Sequence, residues 1–275
     1  MFNQEYKQTP LNSEQYLELK FSNIDFEHSI LKTPKIIIHQ INLLDIDAQK
    51  IYNLYNKYNI FLPKHVTKAS IKRKCEFFLG RLAAKYALND LGNYYSFIIE
   101  RGQQGEPLWP DQITGSISHS MLDCTQGIAI AATSRLSKNM NDLKELSKIY
   151  NQTASLSGQF LGIDIEIKKN SEIFDRNPSI LTNIFSSQEI KLISPFLKQR
   201  PVLHLIIFSA KESLIKVVYN KYKKIISFDT MHCINICEQT QTFMFYIPQI
   251  SNNEKFLVNY IELDYQILTY CCLKS

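Results

Sequence analysis

The chain has 275 residues, 45% of them hydrophobic and 21% charged. That balance excludes a wholly disordered chain and leaves room for one large or two smaller domains. The 31 basic and 26 acidic residues give a formal charge of +5. This modest excess fits a phosphate-bearing ligand or an acidic partner. Without a basic stripe interleaved with aromatics it does not indicate nucleic acid.

The opening, MFNQEYKQTP, lacks the basic and apolar blocks of a signal peptide. No apolar run reaches the length of a membrane span, so a cytoplasmic chain with no membrane span is expected. The six cysteines, Cys75, Cys124, Cys233, Cys237, Cys271 and Cys272, show no CxxC or zinc-finger spacing. They read as reduced cysteines acting as small hydrophobes.

In chain order, residues 1–33 are polar and read as irregular. Pro34–Gln40 reads as a strand around β-branched Ile36, Ile37 and Ile38. From about Ser70 to Leu91 the pattern is helical, with Phe78, Leu82 and Tyr86 at four-residue spacing and Gly92 as a stop. Tyr95–Ile99 looks like a strand, and Gly102–Pro110 is turn-rich. Ser116–His119 and Gly127–Ala132 read as two short strands. Arg135–Gly158 is rich in Ser, Asn, Lys and Leu, and reads as an exposed insertion with room for a short helix at Met140–Ile149. Phe160–Ile167 reads as a strand, Ser187 as a helix cap and Val202–Lys221 as a long helix. Alternation at Thr242–Ile247, Phe256–Ile261 and Tyr265–Cys271 predicts an antiparallel sheet.

Three constellations carry chemistry. In Gly162-Ile163-Asp164-Ile165-Glu166, strand alternation puts two carboxylates on one face and two isoleucines on the other. Their mutual repulsion would be relieved by a cation, and oxygen-only ligands suit Mg²⁺ or Mn²⁺ rather than zinc. The same pattern also describes an ordinary amphipathic strand with a solvated acidic face. In Phe208-Ser-Ala-Lys211-Glu212-Ser-Leu-Ile-Lys216, Glu212 and Lys216 share a helix face. A surface ion pair, worth about 0.3–0.5 kcal/mol, is one reading. The apolar flanks of this helix favour another, in which a metal and a phosphate offset the desolvation of Lys-Glu. In Gly115-Ser-Ile-Ser118-His119-Ser, hydroxyls beside an imidazole could hold a phosphate, or the histidine could be structural. No GxSxG elbow, P-loop or dinucleotide fingerprint is present.

Taken in order, these pieces resemble the 4'-phosphopantetheinyl transferase superfamily of the surfactin-synthase-activating type, and look closest to its enterobactin synthase component D branch. Arg73-Lys-Cys-Glu-Phe-Phe-Leu-Gly-Arg81-Leu-Ala-Ala and Pro107-Leu-Trp-Pro110 complete the five matching segments. The resemblance implies an α+β fold of two similar halves packed as a pseudo-dimer, with the active site between them. The halves would be 1–133 and 159–275, joined by an exposed linker at 134–158. The resemblance assigns Asp164, Glu166 and Glu212 to magnesium, with manganese as the alternative ion. Lys216 would contact the phosphates of coenzyme A. Ser118 and His119 would hold the nucleotide's phosphates, and Arg73, Arg81 and Lys64 its 3'-phosphate. Glu212, Lys216 and Glu166 would be the catalytic groups.

The implied activity is transfer of phosphopantetheine from coenzyme A to a serine of an apo carrier protein, releasing 3',5'-adenosine bisphosphate. The product would serve siderophore or other nonribosomal peptide or polyketide synthesis, and the enzyme would be a monomer. Another magnesium-dependent phosphohydrolase or nuclease, or a non-catalytic relative that binds carrier proteins, are the rival readings. Two features depart from the family. Glu106 stands where a basic residue often precedes the proline, and the 135–158 insertion is longer than the usual link.

Overall fold

The computed structural model describes residues 4–5, 16–43, 48–136, 158–251 and 253–275. The chain divides into two compact units, Met1–Phe160 with Lys274–Ser275, and Leu161–Leu273. Both mix helices with a sheet, as an α+β chain should. Most of the 135–158 insertion, including the expected helix at Met140–Ile149, lies outside the described residues.

The first unit holds a six-stranded sheet. Its strands are β1 (Gln4–Glu5), β2 (Leu17–Ser22), β3 (Glu27–Lys32), β4 (Ile37–Leu43), β5 (Ile113–Met121) and β6 (Gly127–Arg135), in the order β1-β2-β3-β4-β6-β5. All its pairings are antiparallel. Strands β2 and β3 fall where the sequence reads as irregular. Leu17, Leu19 and Phe21 do alternate with charged residues, but no residue of β2 is fully buried. With so little apolar surface to hide, the strand leaves a weak signal.

Among the described residues three helices belong to this unit: α1 (Ala48–Lys57), α2 (Lys64–Thr67) and α3 (Ile71–Asn89). The last is the expected long helix. Ser70 caps it by accepting from the Arg73 amide, and Asn89 ends it three residues before Gly92. Gly92 takes φ of 151°, where a side chain would strain the backbone. The core gathers Phe78, Leu79 and Leu82 of α3 with Ile41, Ala129 and Ala131 of the sheet. The expected strand at Tyr95–Ile99 is not one: the segment is a turn followed by irregular chain. Its Tyr95, Phe97 and Ile98 are exposed, so the apolar run is not a core strand.

The second unit holds a five-stranded sheet in the order β7-β11-β10-β9-β8. These are β7 (Gln159–Ile167), β8 (His232–Cys237), β9 (Thr242–Tyr246), β10 (Lys255–Glu262) and β11 (Gln266–Lys274). The three alternating segments of the C-terminal third are thus strands, and β8 joins them at the edge. Four helices accompany the sheet: α4 (Glu172–Arg176), α5 (Ser179–Ile184), α6 (Ser187–Leu197) and the 20-residue α7 (Leu203–Tyr222). The cap of α6 is Ser186 rather than Ser187. Its hydroxyl accepts from the Glu189 amide, and the Glu189 carboxylate accepts from the Ser186 amide.

Lys211 lies wholly inside this unit. Its Nζ meets both oxygens of Glu189 at 2.9 Å, and also the carbonyls of Ile184 and Phe228. Glu189 in turn accepts from the Cys233 amide at 2.8 Å. For Lys211, the desolvation that the apolar helix imposes is therefore offset by protein groups, not by a metal or a phosphate.

Candidate active site

The second unit brings the acidic strand under the long helix. Gly162 explains how closely. A Cβ there would lie 2.0 Å from the Ser213 carbonyl oxygen and 2.7 Å from the Val217 nitrogen. Only a glycine lets the backbone of α7 come down on β7 at this point.

Alternation along β7 then buries Ile163 and Ile165, as the sequence pattern requires. Asp164, on the other face, is also buried, at 4% exposure. A solvated acidic face is therefore not what this strand carries. Both Asp164 oxygens have partners on α7. Lys216 Nζ donates to Oδ1 at 2.7 Å and to the Ile163 carbonyl at 3.0 Å. Ser209 Oγ donates to Oδ2 at 2.7 Å. Glu166 is half-buried, and its Oε2 accepts from Asn170 at 3.1 Å.

Glu212 sits one turn before Lys216 on α7. Burial raises its carboxyl above the ordinary glutamate range, Lys216 pulls it back, and the negative charge of Asp164 pushes it up further. Lys216 makes its ion pair across to β7 and not along its own helix, so the reading as a surface pair of Glu212 and Lys216 does not hold. Asp164, Glu212 and Lys216 thus act on one another.

The donors in this cluster are carboxylate oxygens, the chemistry a hard divalent cation takes. Two carboxylates sharing one site would be relieved of their repulsion by such an ion. Among the described residues, however, no three His, Cys, Asp or Glu side chains are gathered closely enough to hold a metal. In this arrangement the cation on Asp164 is the Lys216 ammonium. The residues fit a divalent ion in kind, and Asp164 Oδ1 would have to exchange Lys216 for it.

The first unit carries the other expected residues. Its β5 packs on α3 through Gly80, whose missing Cβ would sit 3.0 Å from Ile117 Cγ2. Trp109 of the Pro107–Pro110 segment lies over Gly115 and donates to its carbonyl at 3.1 Å. The motif glycines and the tryptophan are therefore packing partners. Ser118 is buried and His119 half-buried. Being adjacent on β5, they point to opposite faces, so one face of the strand does not present both.

Arg73 pairs with Glu76 at 3.0 Å. Arg81 donates to the carbonyls of Ile99 and Glu100 and stacks on Phe77. Burial, with the charges of Arg73 and Arg101 added, pushes Arg81 down to about 10. The guanidiniums of Arg73, Arg81 and Arg101 thus share one electrostatic neighbourhood. Arg101 is the residue that sequence reading missed. Its Nη2 lies 3.0 Å from where a Cβ of Gly105 would be, so the loop holding Glu106 still carries a cation. Lys64 is exposed at the start of α2. Ser209 and Asn170 were also missed. The four-residue spacing of Ser209 and Ser213 on an apolar helix was the available signal for the former.

The profile of the 4'-phosphopantetheinyl transferase N-terminal domain matches residues 62–134, and that of the 4'-phosphopantetheinyl transferase superfamily matches residues 160–271. The chain belongs to the 4'-phosphopantetheinyl transferase superfamily. Enterobactin synthase component D of Salmonella typhimurium is 31% identical over 182 residues, covering 65% of this chain and 62% of the relative. The Escherichia coli K12 protein of the same name is 34% identical over 83 residues, covering 30% of this chain and 38% of the relative. The 4'-phosphopantetheinyl transferase Svp of Streptomyces mobaraensis is 30% identical over 157 residues, covering 56% of this chain and 52% of the relative. The match therefore spans less than two thirds of these relatives' length. Among the described residues no helix is long and apolar enough to cross a membrane.

Proposed function

We propose that this protein is a phosphopantetheinyl transferase, moving the phosphopantetheine arm of coenzyme A onto a serine of an apo carrier protein. The observation that carries the reading is the buried Asp164 held by Lys216 beside Glu212, on a strand and helix that fall within the family match. The name enterobactin synthase component D supports an enterobactin-like siderophore as the pathway served, with another nonribosomal peptide or polyketide as the alternative.

In this mechanism the carrier's serine oxygen attacks the β-phosphorus of coenzyme A. A new oxygen–phosphorus bond forms, and the bond to the bridging oxygen breaks. That oxygen leaves on 3',5'-adenosine bisphosphate. Negative charge grows on the phosphoryl oxygens, and the Lys216 ammonium would stabilise it. Glu212, whose proton affinity burial raises, or Glu166 takes the serine proton. Magnesium or manganese on Asp164, Glu166 and Glu212 would supply charge neutralisation at the pyrophosphate. Arg73, Arg81 and Lys64, with one of Ser118 and His119, which lie on opposite faces of β5, would hold the nucleotide's phosphates.

The test is mass spectrometry of apo aryl, peptidyl and acyl carrier proteins after incubation with coenzyme A and Mg²⁺ or Mn²⁺. At least one should gain a single phosphopantetheine group. If none gains mass, transfer is excluded for those carriers. Hydrolysis of a phosphate ester or nucleic acid under the same conditions would favour the rival enzyme class.

A further inference from the structure

Behind Asp164 lies a chain of hydroxyls that the mechanism does not use. Ser209 Oγ is 2.7 Å from Asp164 Oδ2 and 3.0 Å from Thr269 Oγ1. Thr269 Oγ1 is 2.7 Å from Ser213 Oγ and 2.8 Å from the Ser209 carbonyl. Ser213 Oγ also lies 3.1 Å from the Thr269 carbonyl. All three hydroxyl residues are wholly buried, at 0% exposure. Two come from α7 and one from β11, the neighbour of β7 in the sheet.

Each hydroxyl has one proton to donate. An ionised Asp164 only accepts, so the Ser209 proton is committed to Oδ2. Ser209 Oγ and its carbonyl can then accept from Thr269, and Thr269 Oγ1 can accept from Ser213. Thr269 shares its proton between Ser209 Oγ and the Ser209 carbonyl, and Ser213 between Thr269 Oγ1 and the Thr269 carbonyl, so the Ser209 proton is the one aimed at the carboxylate. Linked hydroxyls polarise one another, and a bond to a charged acceptor is the strongest of them. The network ends on backbone carbonyls and has no further titratable member, so it holds a charge in place and does not carry protons away.

We infer that Ser209, backed by Thr269 and Ser213, is a positioning residue of the transferase: it fixes Oδ2 of Asp164 so that Oδ1 alone faces the reacting side, where Lys216 sits. The inference rests on the proposed transferase reading. Its geometric content is separate, since it concerns the rotamer of Asp164 in the resting protein. Ser209 touches neither substrate nor the reacting phosphorus.

The experiment uses the full chain with Ser209→Ala, Ser209→Thr and Thr269→Val. Ser209→Ala should lower kcat by about tenfold to a hundredfold, the effect of losing a hydrogen bond to a charged group, with KM for coenzyme A changed less than about threefold. Ser209→Thr, which keeps the hydroxyl, should recover most of the loss. Thr269→Val, which removes only the backing, should lose less than Ser209→Ala. Two readouts do not depend on turnover. Calorimetric Mg²⁺ affinity should weaken in Ser209→Ala, and a crystal structure of that variant should show the Asp164 carboxylate rotated.

The inference is overturned if Ser209→Ala keeps wild-type kcat. It is also overturned if the variant melts early with unchanged specific activity and an unmoved Asp164, because the role is then only structural. If the wild-type protein transfers nothing, the transferase reading fails instead. The rotamer in the Ser209→Ala crystal then still decides whether Ser209 sets Asp164.

Discussion

Gly162 and Lys216 show how much depends on single atoms here. A methyl group at Gly162 would overlap the Ser213 carbonyl of α7, and backbone on both sides leaves no flexible atom to give way. Gly162→Ala should therefore destabilise at the upper end of overpacking costs, about 3 kcal/mol or more. Urea unfolding measures this, and an unchanged midpoint would contradict the packing described. Lys216 neutralises Asp164, and in the proposed reaction it also faces the transferring phosphate. Lys216→Met should cut the transfer rate by about 10²–10³. It should also lose roughly 1–3 kcal/mol of stability in EDTA, because Asp164 is left buried without its cation. Added Mg²⁺ should restore more stability to the variant than it gives the wild type. Thermal melts with and without Mg²⁺ check this, and equal shifts in the two proteins would separate Lys216 from the ion's site.

Helices and strands in each unit are tied by buried polar groups outside the site. In the second, Lys211 and Glu189 join α7 to α6, the start of β8 and the loops at Ile184 and Phe228. With Lys211 pinned on one side of α7, Glu212 and Lys216 are turned toward β7. In the first unit, Asp90 after α3 meets His39 of β4 at 2.9 Å, and His39 meets His28 of β3 at 3.1 Å. Burial and the neighbouring His39 push His28 down to about 3, against a weaker opposing pull from Asp90. The unfolded chain binds this proton near pH 6.5, the ordinary histidine value, and the folded one does not. Stability from His28 is thus complete above about pH 6.5 and falls as the pH drops toward 3. His28→Gln should flatten the loss of stability between about pH 6.5 and 4. Denaturant midpoints across that range measure it, and parallel curves for the two proteins would remove His28 from the acid response.

At the scale of the whole chain, residues 135–159 form the gap between the two family matches. The ends of that stretch are already joined: the Gly158 amide donates to the Arg135 carbonyl at 2.7 Å. A short loop can therefore close the same gap, and loop length itself costs little free energy. Replacing residues 137–157 by a brief Gly/Ser linker should leave the transfer rate within a few-fold. Steady-state kinetics with a fixed carrier tests this. A rise in KM for the carrier alone would make the segment a docking element.

The sequence by itself determined the elements whose periodicity is strong: the long helices α3 and α7, the strand β7 and the C-terminal strands. It also determined the family, because five short motifs in fixed order carry more information than any one. It placed Asp164 and Glu166 on one face of β7, since alternation is a local property of the backbone. It could not find β3, or β2, whose weakly buried side chains leave little apolar signal, and it made a strand of Tyr95–Ile99, where apolar residues stand exposed. Only the tertiary structure decided which cation meets which anion. Lys211 and Lys216 look alike in a list of residues, yet one is sealed against Glu189 and the other crosses to Asp164. Thr269 became part of the Asp164 support only because β11 lies beside β7. Such contacts join residues dozens of positions apart. Their geometry is set by the descent of α7 onto Gly162, which no local pattern encodes.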